Sequence, residues 1–140
     1  MMKSHFFLIT YAIANLSLIL YGALALSMPG ILLKPFSENV YQFPEGALGA
    51  VTYVEGLFRL LGFFNLVLGT LGLLFIRRFK KSSEKWALKI VIASTLAAYI
   101  GPIIFDNTVG SIGFFEIVEL VLFGLMLLAG AFMLRNGGAD

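Results

Sequence analysis

The chain has 140 residues, of which 59% are hydrophobic and only 13% charged, with a net charge of +2 and a mean hydropathy of +0.94. The absence of cysteine excludes disulfides, iron–sulfur ligation and thiol redox chemistry. The single histidine, His5, excludes a bis-histidine haem or a histidine-built metal site within one chain.

Four apolar stretches, at residues 6–33, 54–76, 86–105 and 112–134, each reach the length of about 20 residues that crosses a bilayer as a helix. They fill the chain as one domain, so the expected fold is all-α, an integral membrane antiparallel four-helix bundle. The first stretch has a basic start and an Ala23-Leu24-Ala25 sequence of small-x-small form, as at a signal-peptide cleavage site. Its apolar run continues through Ile31 and Leu33, much longer than a signal core, so it reads as a retained span. Asn15 in its middle should face inward.

Residues 34–53 form the one substantial connection on their side, with Pro35, Pro44, Phe36, Tyr41 and Phe43. They read as an interfacial segment that lies against the membrane or lids the bundle. Residues 47–54 are apolar enough to start the second helix early. Between spans two and three stands Arg77-Arg78-Phe79-Lys80-Lys81-Ser82-Ser83-Glu84-Lys85, followed by Lys89. Lys3 and Arg135 flank the chain ends on the same side. Lys and Arg collect on the cytoplasmic side of short loops, so both termini and residues 77–85 are expected in the cytoplasm. The basic segment is a topology determinant that also meets anionic head groups; it is not read as a nucleic-acid site.

A few charges sit within or at the edge of the spans. Counting about 1.5 Å per residue from the inner end of each helix puts Arg59 roughly 27 Å from Arg77, and Glu119 and Glu116 roughly 24 and 28 Å from Arg135. Asp106 closes span three at a similar depth, and Glu55 stands one turn above Arg59. These five charges are thus expected at one level, in the outer leaflet. Glu55 and Arg59 share a helix face that continues through Gly62, Asn65, Gly69 and Gly72. Small residues at this spacing let membrane helices approach closely, so the face should turn into the bundle. Thr95, Tyr99, Pro102 and Asp106 follow a similar spacing on span three, where Gly101-Pro102 can kink the helix. Either Arg59 ties span two to Glu116 or Glu119, or the cluster lines a cavity. One guanidinium cannot satisfy four carboxylates, which points to a cavity.

Met28-Pro29-Gly30, Arg59-Leu60-Leu61-Gly62 and the turn Asp106-Asn107-Thr108-Val109-Gly110 followed by Glu116 and Glu119 resemble the DoxX-like group of small four-helix bacterial membrane proteins. The resemblance implies a four-helix bundle in the bacterial inner membrane, with Arg59, Asp106, Gly110, Glu116 and Glu119 as core polar residues. Some relatives are linked to quinone-connected sulfur oxidation or membrane redox stress, but no cysteine or cofactor motif here supports carrying that activity over.

The functional expectation is a binding protein. An amphipathic ligand, a lipid or quinone, would sit in a polar outer-leaflet pocket formed by Arg59, Glu55, Asn65, Tyr99, Asp106, Glu116 and Glu119. The alternative is an accessory subunit of a larger membrane complex, or a homo-oligomer, packing through its glycine stripe and phenylalanine-rich faces. Catalysis is the weaker expectation, since no nucleophile–base pair, metal-ligand spacing or phosphate loop is present, and no cofactor is expected.

Overall fold

The structure is a computed structural model that describes residues 2–109 and 114–136. It is all-helical: α1 (Met2–Ser27), α2 (Pro29–Asn39), α3 (Leu48–Ser82), α4 (Lys85–Val109) and α5 (Phe114–Asn136). Four of these, all but α2, are long and apolar enough to cross a membrane.

The first expected span is two helices. Pro29 disfavours helical backbone in the residue before it, and Met28 takes φ −138° and ψ 60°. The Met28 N–H still closes α1 on the Leu24 carbonyl. Pro29 then opens α2 at the first helical position, where its missing N–H costs nothing. The early start of the second span is borne out, since α3 begins at Leu48. Most of the basic segment is also helix. Only Ser83 and Glu84 lie between α3 and α4, with Ser83 in the left-handed region (φ 54°) and its N–H on the Phe79 carbonyl. At 35 residues, α3 is about 52 Å long and outreaches a bilayer core of about 30 Å. α4 runs through Pro102 to Val109.

α1 packs against α3 along most of its length. Its other neighbour is α5, and α4 in turn packs against both α3 and α5. Across one diagonal of this four-helix arrangement α1 meets α4, whereas no Cα atoms of α3 and α5 come within 8 Å of each other among the described residues. The α1–α3 register follows from residue pairs. The Phe7 ring meets Phe79, Asn15 lies against Gly72, Ile19 against Gly69, and Gly22 and Ala25 against Gly62. Numbers rise on one helix as they fall on the other.

The α1–α3 seam is built on glycine. A Cβ added at Gly22 would stand 2.6 Å from the Gly62 carbonyl oxygen, and one at Gly69 would stand 2.6 Å from that of Asn15. The inward orientation expected of the Gly62–Asn65–Gly69–Gly72 face is borne out, because all four are buried along with Ile76. Buried α1 positions recur at Phe7, Tyr11, Ala14, Leu18, Gly22 and Ala25, the four- and three-residue spacing of a helix seam. Large apolar side chains point outward instead, including Ile9, Leu20, Phe63, Phe64, Ile104 and Leu128. Glycine at the seam with many large apolar side chains turned outward is the pattern of membrane helices that associate by close packing.

Candidate functional site

Interior polar residues form two hydrogen-bonded groups across the bundle, one on Tyr11, Asn15 and Thr95 and one on Ser17 and Tyr99. On α1, the Asn15 amide Nδ2 donates to the Tyr11 carbonyl at 2.8 Å and to Thr95 Oγ1 on α4 at 3.0 Å. Thr95 donates back to Asn15 Oδ1 at 3.4 Å. The Tyr11 hydroxyl reaches α5, donating to the Met126 carbonyl at 3.0 Å. Gly130 makes room for it, since a Cβ there would stand 2.8 Å from that hydroxyl. About one turn toward the α2 end, Tyr99 on α4 donates to the Ala14 carbonyl at 3.0 Å and lies 2.5 Å from Ser17 Oγ. Ser17 also reaches the Ala14 carbonyl, at 2.8 Å. Glu119 on α5 stands near enough to Tyr99 to act on it electrostatically.

The inward placement expected of Asn15 is borne out, and Thr95 and Tyr99 lie with it in the core. These groups are amides, hydroxyls and carbonyls, and they fasten helices together. Sequence reasoning missed Tyr11, Ser17 and Gly22. The α1 seam spacing that contains Tyr11 and Gly22 was the available signal for those two.

The expected charge cluster divides between two sides of the bundle. Depth counting placed Arg59 level with Glu116 and Glu119; Arg59 is on α3, the carboxylates are on α5, and these helices face each other across the wider diagonal of the bundle. Arg59 is exposed on the flank of α3. An ion pair joins Arg78 and Glu84 at the turn between α3 and α4. Of the residues expected to line one cavity, Glu55 and Arg59 are on α3, Tyr99 on α4, and Glu116 and Glu119 on α5. Tyr99 is buried with Ser17. Glu55, Glu116 and Glu119 are half-buried. Asn65 is 9% exposed on the inward face of α3. The Asp106 side chain and Gly110 lie outside the described residues. No group of three His, Cys, Asp or Glu capable of holding a metal occurs among the described residues.

A groove does occur at the end of the bundle where α2, the segment after it and the start of α3 meet. It has a volume of about 570 Å³ and is open along one side, with Leu33, Phe43 and Val51 as apolar lining and Lys34, Ser37 and Gln42 as polar lining. Aromatic rings set its shape. Phe36 lies 6.2 Å from Phe43 and 5.9 Å edge-on to Phe58 of α3, and Tyr41 stands 5.3 Å edge-on to Phe43. Glu55 and Arg59 follow Val51 at one-turn steps along α3. The segment expected to lie on the membrane or lid the bundle thus contributes a helix and a groove wall.

The chain matches no protein-family model, and it has no match among curated proteins or solved structures.

Proposed function

We propose that the protein is a multi-pass bacterial inner-membrane protein, an antiparallel four-helix bundle with both termini cytoplasmic, that holds an amphipathic ligand at its outer end. We place it with the DoxX-like proteins that its Arg59-Leu60-Leu61-Gly62 and Met28-Pro29-Gly30 motifs resemble. The ligand is a lipid or quinone. The groove between α2 and α3 is the observation that carries this reading. It combines one cation, a hydroxyl and an amide with an apolar wall, the mixture that binds a polar head while its tail enters hydrocarbon.

Lys34 pairs with an anionic or carbonyl head group, and Ser37 and Gln42 supply hydrogen bonds. Glu55 and Arg59 extend the polar edge along α3, while Asp106, Glu116 and Glu119 set the charge around the outer ends of α4 and α5. The experiment is extraction and mass spectrometry of lipid and quinone co-purified with the full chain. Wild type is expected to retain a defined species that Lys34→Ala with Phe43→Ala loses, while Leu128→Ala, on the exposed face of α5, keeps it. Equal retention by all three proteins rejects the groove as the site.

An accessory-subunit role is the second reading. It rests on the adjacent exposed rings of Phe63 and Phe64, 5.9 Å apart on α3. The glycine stripe no longer favours it, because α1 of the same chain occupies that face.

A further inference from the structure

The turn between α3 and α4 concentrates charge that the protein itself does not match. Arg77, Arg78, Lys80, Lys81, Lys85 and Lys89 are all exposed. Glu84 is the one acid among them, and Arg78 holds it through a hydrogen-bonded ion pair. Smaller contributions come from Ser82 and Trp86. With Glu84 engaged, Arg77, Lys80, Lys81, Lys85 and Lys89 have no acidic partner among the described residues. The turn is also stiff. Only two residues join the helices, Ser83 caps α3 in the left-handed region, and Ser82 Oγ donates to the Arg78 carbonyl. The cations are therefore held on helical turns and do not sweep a flexible loop.

Trp86 lies in the middle of this charge. It is 49% exposed, and its ring stands edge-on to Phe75 at 5.7 Å. Indole side chains prefer the head-group layer of a bilayer, so Trp86 sets the depth of the turn. Arg77 is about 7 Å up α3 from the turn, and Lys89 about 6 Å up α4. The cations thus span the thickness over which lipid phosphates lie.

We infer that the α3–α4 turn is a docking surface for anionic phospholipid head groups, separate from the groove at the opposite end. Charge complementarity selects the partner. Fixed ammonium and guanidinium groups at phosphate depth recruit lipids with net negative head groups over zwitterionic ones, by about fivefold per cation near the surface. The two ends of the protein then see different lipids.

Trp86 is the only tryptophan, which makes the test local. The full chain is reconstituted into vesicles of phosphatidylcholine mixed with phosphatidylglycerol, with either lipid brominated on its acyl chains, and quenching of Trp86 is compared. Brominated phosphatidylglycerol is expected to quench more than brominated phosphatidylcholine at equal mole fraction. The contrast should fall several-fold in a Lys81→Gln, Lys85→Gln, Lys89→Gln variant and persist in Lys34→Gln. It should also shrink at about 1 M salt, where screening acts within about 3 Å. Equal quenching by both lipids in wild type would overturn the inference. So would a contrast untouched by the triple substitution, or one abolished by soluble inorganic phosphate at constant ionic strength. Because the groove residues are not altered, loss of groove binding leaves this outcome unaffected.

Discussion

Replacing Gly69 with alanine tests whether the α1–α3 seam holds the bundle together. The added Cβ would stand 2.6 Å from the Asn15 carbonyl oxygen, 2.8 Å from Ile19 Cγ1 and 3.1 Å from the Ile19 nitrogen, where ordinary contact begins at 3.4 Å. Two of these neighbours are backbone atoms that no rotamer change can move, so the helices must part by about 0.8 Å at this point. Overpacking of this kind costs about 1–3 kcal/mol. Alanine also gains up to about 1 kcal/mol over glycine in helix propensity, which would mask part of the loss. Gly56→Ala, on the same helix with nothing within 4 Å of the new Cβ, carries that gain without the clash. Unfolding of both variants in mixed micelles, titrated with dodecyl sulfate and followed by circular dichroism, gives the difference directly. Gly69→Ala is expected to be less stable than Gly56→Ala by about 1–3 kcal/mol. Equal stability of the two variants would refute close backbone approach as the basis of the seam.

The remaining predictions concern single groups. A double-mutant cycle of Asn15→Ala with Thr95→Val in the same assay is expected to show a coupling of about 0.6 kcal/mol and no more than about 1.7, the range of interhelical hydrogen bonds in membranes; strict additivity would remove the bond. Arg59→Leu and Glu119→Gln, on helices that face each other across the wider diagonal of the bundle, are expected to add to within about 0.5 kcal/mol, and a larger coupling would establish the ion pair. The hydrogen bond from Arg78 holds the Glu84 carboxyl below the usual carboxylate range. Because the folded pKa is the lower one, its contribution to stability is complete above the unfolded pKa and is lost as pH falls through the folded value. Glu84→Gln should therefore flatten that acid limb, and an unchanged pH profile of unfolding would dismiss the role. Finally, a Ser82→Cys variant in this cysteine-free chain should react with an impermeant maleimide only after cells are permeabilised; labelling of intact cells would invert the proposed topology.

Helix length and buried face were legible in the sequence, and neighbours across the bundle were less so. Apolar length alone located the four long helices, and the spacing of Gly62, Asn65, Gly69 and Gly72 identified the buried face of α3, because both follow from geometry within one helix. Asn15 was legible for a similar reason, as an amide far from either end of an apolar helix must find a partner. Arg59 shows what one dimension leaves out. Depth counting gave its position along the helix, but whether α3 stands beside α5 depends on the order of helices around the bundle. No spacing within either helix encodes that order. The break at Met28 was visible in Pro29, yet continuous hydropathy on both sides disguised two helices as one span. The groove is made by α2 meeting the start of α3, a feature of tertiary packing that no local pattern announces.

The triangle of Ser17, Tyr99 and the Ala14 carbonyl has three oxygen–oxygen contacts but only two hydroxyl protons to fill them. Tyr99 can donate to the carbonyl while Ser17 donates to Tyr99, or Ser17 can donate to the carbonyl while Tyr99 donates to Ser17. Both arrangements use the same heavy-atom positions. Deleting either hydroxyl leaves the other still bonded to the carbonyl, so Ser17→Ala and Tyr99→Phe each keep one link at this point of the bundle. Only the Tyr99 hydroxyl joins two helices, however, since Ser17 and Ala14 both belong to α1. The redundancy protects the carbonyl's hydrogen bonding, while the tie between α1 and α4 at this level depends on a single phenol.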